Sequence, residues 1–278
     1  MKKLAIVLGG GSSKGYAHLG FLKVLEKYGI IPDLIVGTSM GALVGGMYAS
    51  GKSIDDLISL SDKIHSLGHF DIFSTLFKDN ILNINKIQNL IVDELSDLTF
   101  DDCRIPFVAV ATELYTGEEK HFSSGLLSDG IIASISIPGI FPRRQVDNRY
   151  YCDGGLLNNL PEDVARKILP DALVVSLDVV GEYPKQIEHI KMKSIEVLVN
   201  AISLMTTQIV NLKPQRSDLR IVLTMPNVSL IDFSRDTVQN AIRHGEEETE
   251  KYIDEIIKLL KGNTDENFRR TKRKSKKD

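Results

Sequence analysis

Cysteine is scarce in this 278-residue chain: Cys103 and Cys152 are the only two, so no disulfide framework is expected, and Cys152 reads as a structural thiol. No uninterrupted apolar stretch approaches the roughly 18 residues that a membrane-crossing helix needs. The basic start Met1-Lys2-Lys3 leads into an apolar run, Leu4 to Leu8, too short for the core of a signal peptide. A cytoplasmic location, or one peripheral to the inner face of the membrane, is the resulting expectation. No Pro/Ser-rich linker or internal repeat divides the chain, and 42% hydrophobic residues supply a sizeable core. One domain over residues 1–262 and a basic, disordered tail over 263–278 are therefore expected. No dedicated loop of oxygen ligands points to calcium, no metal or cofactor is called for, and no recognition motif points to nucleic acid. Oligomeric state is not legible.

What is present begins at Gly37-Thr38-Ser39-Met40-Gly41, which follows the apolar run Leu34-Ile35-Val36 and precedes the small-residue stretch Ala42 to Ala49. The pentapeptide alone is weaker evidence, since a chain this long shows one by chance about one time in ten; the strand, turn and helix context makes it a nucleophile elbow, with Gly37 and Gly41 letting the backbone turn and lift the Ser39 hydroxyl clear of the sheet edge. One unit upstream, Leu4 to Leu8 reads as a buried parallel strand, Gly9-Gly10-Gly11-Ser12-Ser13-Lys14-Gly15 as a loop, and Tyr16 to Tyr28 as an amphipathic helix. If the two strands are parallel neighbours, about 4.8 Å apart, both loops emerge on one carboxyl edge. The amides of Gly10, Gly11 and Ser12 then converge in front of Ser39 as an oxyanion hole, and Lys14 adds positive potential there. A dinucleotide reading of the glycine loop fails, because the middle glycine of G-x-G-x-x-G is missing and the only nearby acid, Asp33, begins the next strand.

The base for Ser39 is not an obvious histidine. His18 lies in the first predicted helix, His65 and His69 flank a polar connector, and His121 sits in a short run resembling a sheet edge. A Ser…Asp…His chain order requires His189 or His244, both in charged stretches expected to be solvated helix. Asp153 is the better candidate. It follows a predicted hairpin, Arg144-Gln145-Val146 and Arg149-Tyr150-Tyr151 around Asp147-Asn148, and precedes Gly154 and Gly155, which allow a tight bend. An aspartate there is often only a turn former; beside a serine elbow and with no convincing histidine, it completes a Ser-Asp dyad. An exposed carboxylate is a poor base, and partial burial next to Ser39 would raise its pKa into a useful range.

These three segments, Gly9 to Gly15, Gly37 to Gly41 and Asp153 to Gly155, resemble in order and spacing the patatin-like phospholipases. That family combines a glycine-rich oxyanion loop, a G-x-S-x-G nucleophile and an Asp-Gly-Gly or Asp-Gly-Ala aspartate. Ala111 to Gly117, Ser136 to Pro142 and Asn158 to Pro161 resemble bacterial members as well. The likeness is specific from Leu4 to about Pro161 and diffuse beyond. It departs at Ser12, where many relatives carry glycine, and at Lys14, where many carry arginine and its planar fork. The resemblance implies a single-domain, three-layer α/β fold with a mostly parallel central sheet and the dyad at its carboxyl edge. It also implies a serine acyl hydrolase acting on carboxylic esters of phospholipids or lysophospholipids. An acyltransferase using the same dyad, or a regulatory protein with a vestigial site, remain open alternatives.

The rest of the chain suits that fold. Ser53 to Leu67, Asn83 to Leu95, Ser128 to Ile137, Lys191 to Leu212 and Ser234 to Leu260 read as helices; Phe107 to Ala111, Ala172 to Val179 and Leu219 to Thr224 read as buried strands. Ser203, Thr206, Thr207 and Gln208 interrupt an otherwise apolar helix and are expected on a solvated face in preference to a lipid-facing mouth. Phe268 to Asp278 carries seven basic residues against one acid, on a chain whose net charge is −3. Such a run is usually a solvated tail, and it is the segment expected to meet an anionic membrane surface.

Overall fold

Apolar runs bounded by glycine or polar turns become the strands of one sheet: β1 (Leu4–Leu8), β2 (Leu34–Thr38), β3 (Phe107–Glu113), β4 (Glu119–Phe122), β5 (Arg144–Val146), β6 (Arg149–Asp153), β7 (Leu173–Asp178) and β8 (Leu219–Val222). The structure, a computed structural model, describes residues 1–66, 81–181, 194–225 and 230–262. His69, His189, the first residues of the expected Lys191 to Leu212 helix and the basic tail lie outside them. The strand order is β5-β6-β3-β2-β1-β7-β8, with β4 also paired to β3. The central pairings β3-β2, β2-β1, β1-β7 and β7-β8 are parallel, while β4, β5 and β6 add antiparallel strands at one end.

The helices are α1 (Ala17–Lys27), α2 (Met40–Ala49), α3 (Ile54–Ser66), α4 (Ile81–Leu95), α5 (Leu127–Ile135), α6 (Gly155–Asn158), α7 (Glu162–Ile168), α8 (Ser194–Leu212), α9 (Arg235–Glu250) and α10 (Ile253–Leu260). Both faces of the sheet are covered, which is why β1, β2 and β3 are apolar throughout and do not alternate. Side chains along a strand point to opposite faces, so Leu4, Ile6 and Leu8 enter one core with α1, α2 and α9. Ala5 and Val7 enter the other, against Val164 and Ala165 of α7 and Val210 of α8. The result is three layers. The one or two helices expected over Ser234 to Leu260 are two, with Ser234 capping α9 by accepting a hydrogen bond from the Thr237 N–H. The predicted hairpin forms, with Asp147 and Asn148 at φ 48° and 61° in its turn.

Register brings two strand ends together. β2 runs up one edge of β3 and ends with Thr38 opposite Val110, whereas β4 occupies the other edge from Ala109 to Thr112. β6 comes down antiparallel along the edge that β2 has vacated and ends with Asp153 opposite Ala111. Ser39 and Asp153, 114 residues apart in the chain, therefore meet head to head.

Candidate active site

Ser39 stands between β2 and α2 with φ 54° and ψ −125°, a conformation that non-glycine residues rarely adopt. The left-handed twist thus falls on the serine itself. Gly37 and Gly41 serve close approach instead: a Cβ on Gly37 would collide with the Gly41 carbonyl, and one on Gly41 with the Leu8 carbonyl. The strained backbone is held by Ser134 of α5, whose Oγ accepts a hydrogen bond from the Ser39 N–H (2.8 Å) and donates to the Val110 carbonyl (2.6 Å). The Ser39 Oγ donates to Asp153 Oδ2 at 2.7 Å.

Asp153 is fixed from three directions. Its N–H donates to the Ser136 carbonyl (3.0 Å), its carbonyl accepts from Thr112 Oγ1 (3.0 Å), and its Oδ1 accepts the Gly155 N–H (2.7 Å). Gly154 lies so close to β3 that a Cβ would strike the Val110 carbonyl. Burial raises the Asp153 carboxyl to about 6, against the hydrogen bonds from Ser39 and Gly155 that favour its charged form.

The glycine loop packs beside the serine, but not all its amides face it. The Gly10 N–H donates to the Asn159 carbonyl at 3.0 Å, and Asn159 Nδ2 returns a bond to the Gly10 carbonyl at 3.1 Å. Gly10 therefore drops out as an oxyanion donor, a correction to the expectation from sequence, and anchors the loop instead. Gly11 and Ser12 border the space in front of Ser39. Ser12 has φ 49°, which gives a steric reason for the glycine many relatives carry there. Lys14 is buried, and burial lowers its pKa while the charge of Asp178 partly offsets that. Among the described residues, Lys14 lines neither cleft at Ser39.

His18 is fully buried, with Nε2 2.7 Å from the Gly9 carbonyl, and burial pushes its pKa down to about 4. It is therefore a neutral donor supporting the loop. His121 pairs with Glu119 at 2.7 Å on an exposed strand edge. No histidine lines either cleft at Ser39 among the described residues. Thr112, Ser136 and Asn159 fall in segments that resemble bacterial family members, but neither those segments nor the spacing around Ser134 reveals that these residues support the site, because each acts across the sheet or between distant loops.

Two clefts meet at Ser39. One is apolar, walled by Met40, Leu43, Ile64, Ile87, Phe141 and Phe233. The other passes Asp153 and Asn159 and is walled by Val199, Ser203 and Thr206 of α8. Ser203, Thr206 and Thr207 are buried, with both threonine hydroxyls bonded to the Ser203 carbonyl, so the solvated face expected for them is corrected: only Gln208 of the four is exposed. Among the described residues, no cluster of metal-ligating side chains occurs and no helix is long and apolar enough to cross a membrane.

An α/β domain with an elbow serine bonded to a buried aspartate defines a class of site, and comparison with known proteins gives the family. A family model described as patatin-like phospholipase matches residues 6–166, and the chain belongs to that family. It is 34% identical over 160 residues to an uncharacterized NTE family protein of Mycobacterium tuberculosis, an alignment covering 57% of this chain and 44% of that one. It is 32% identical over 192 residues to patatin-like phospholipase domain-containing protein 7 of Rattus norvegicus, covering 63% of this chain but 13% of the relative. The chain thus spans less than half the length of these relatives. The fold is similar to the crystal structure of VipD from Legionella pneumophila, with TM-score 0.55 and 16% identity over 91% of this chain and 67% of that one.

Proposed function

We propose that the protein is a serine acyl hydrolase that cleaves carboxylic ester bonds of lipids, phospholipid or lysophospholipid, through an acyl-enzyme on Ser39. The observation that carries this reading is the 2.7 Å bond from the Ser39 hydroxyl, raised on its elbow, to the buried carboxyl of Asp153. Ionised Asp153 takes the Ser39 proton as Oγ attacks the ester carbonyl carbon. Negative charge builds on the carbonyl oxygen, and the N–H groups of Gly11 and Ser12, which border the space in front of Ser39, are the donors that receive it in this reading. Collapse of this intermediate breaks the ester C–O bond, and the leaving alcohol takes the proton from Asp153. Water then gives a proton to Asp153, attacks the acyl carbon and releases the fatty acid, returning the proton to Ser39. The apolar cleft suits the acyl chain, and the cleft past Asn159 and Ser203 suits the alcohol half.

A fluorophosphonate probe tests the nucleophile. Labelling of the wild type, its absence in folded Ser39→Ala, and loss of p-nitrophenyl ester turnover in that variant are expected. Equal turnover by the two proteins would exclude Ser39. A lipid panel read by mass spectrometry, with release of free fatty acid as the expected product, tests the substrate class.

A further inference from the structure

α8 is inside out. Its polar Ser203, Thr206 and Thr207 face the protein, while Val197, Leu204, Met205 and Leu212 are 51%, 45%, 66% and 83% exposed. These four recur at helical spacing and, with Ala201, mark a stripe roughly 22 Å long at 1.5 Å per residue, which exposed Gln208 interrupts between Met205 and Leu212. Residues 197–212 include no charged side chain. A surface helix ordinarily shows the opposite pattern. One exposed leucine means little, whereas a predominantly apolar stripe of this length marks a surface that meets something apolar.

The stripe's position identifies that surface. The inner side of the same helix, through Val199, Ser203 and Thr206, walls the cleft that ends at Ser39. At the stripe's start, Leu198 is 41% exposed and packs beside Gly139, in the loop whose Ile137 and Phe141 line the apolar cleft. We infer that the outer face of α8 is an interfacial surface on which the protein rests on a phospholipid bilayer, with the ester clefts opening at its rim. This rests on the lipid-ester reading above. A helix lying in the interface buries its apolar side in the headgroup and acyl boundary. A protein partner seated on the stripe would cover the rim through which lipid must pass; a bilayer both covers the stripe and supplies the substrate.

The full chain and its Leu204→Glu/Met205→Glu variant are compared by cosedimentation with phosphatidylcholine vesicles. About 0.5 M NaCl, where charges are screened beyond about 4 Å, suppresses purely electrostatic binding. Neither residue lines either cleft at Ser39, so turnover of a soluble p-nitrophenyl ester should stay within about twofold, while vesicle binding should fall at least about tenfold and vesicle phospholipid hydrolysis with it. Met205→Ser, which adds no charge, should give a smaller loss in the same direction. Undiminished vesicle binding by the glutamate variant, or no binding by the wild type, would overturn the proposal. So would a concentration-dependent dimer of the wild type that the variant abolishes, which would assign the stripe to a second copy. Failure of both proteins on the soluble ester would instead count against the esterase reading, and the binding comparison would still decide the face.

Discussion

Asp153 carries opposing demands. Burial raises its pKa to about 6, so the fold favours the protonated carboxyl, while the proposed chemistry needs the carboxylate. The stability that the protonated group contributes is present below the ordinary carboxylate range and is lost as pH rises through about 6. Asparagine in its place escapes that loss. Asp153→Asn should therefore melt above the wild type near pH 8 by an amount worth on the order of 3 kcal/mol, a gap that closes toward pH 4. The same variant should lose at least about a hundredfold in rate. In the wild type, kcat/KM should climb with pH through about 6 as the carboxylate forms. His18, neutral down to about 4, does not contribute to that limb. A melting gap that widened toward acid pH, or a histidine variant as inactive as Asp153→Asn while still folded, would argue against the dyad.

Between elements, the site depends on backbones that approach unusually closely. α1 and α9 touch through glycines: a Cβ on Gly20 would strike the Ile242 carbonyl, and one on Gly245 the Ala17 carbonyl. α1 follows directly from the glycine loop and carries His18, which holds the Gly9 carbonyl. Gly245→Leu should thus force the helices apart at a cost of about 1–3 kcal/mol, read as a lower denaturation midpoint. Unchanged stability would mean that α9 can shift freely. On the opposite face, buried Glu162 of α7 receives a two-pronged bond from Arg220 of β8, both contacts 2.7 Å, together with the Ser176 hydroxyl at 2.6 Å. Burial works against its charge, but these partners hold its pKa below the usual carboxylate range, and they pin α7, which follows the Asn159 loop, to the sheet.

At the scale of the whole molecule, two features bear on lipid surfaces, and their physics differ. The outer stripe of α8 is apolar, so its contribution should survive salt. The basic run Phe268 to Asp278, outside the described residues, carries seven basic side chains against one acid. Deleting it should weaken cosedimentation with anionic vesicles at low salt, leave turnover of a soluble ester unchanged, and matter progressively less as salt rises. Equal binding by the truncated and full chains at low salt would mean that the tail is only a solvated end.

Much of the centre was legible from local pattern alone. Continuous apolar runs mark strands buried on both faces, Gly-Thr-Ser-Met-Gly between a strand and a small-residue helix marks the elbow, and Asp153 before two glycines marks a tight turn. Such signals are local, because each reflects the conformation of a few consecutive residues. The meeting of Ser39 with Asp153 was not local: it follows from β2 and β6 sharing one edge of β3, and only pairing registers encode that. The same holds for the Gly10 amide, which the distant Asn159 carbonyl claims, and for Ser134, which reaches Ser39 from another layer. The apolar stripe of α8 could not be oriented either. An amphipathic sequence reveals that two faces differ, but which one turns inward depends on what the remainder of the chain packs against, and here Ser203 and Thr206 turn to the cleft beside Val199.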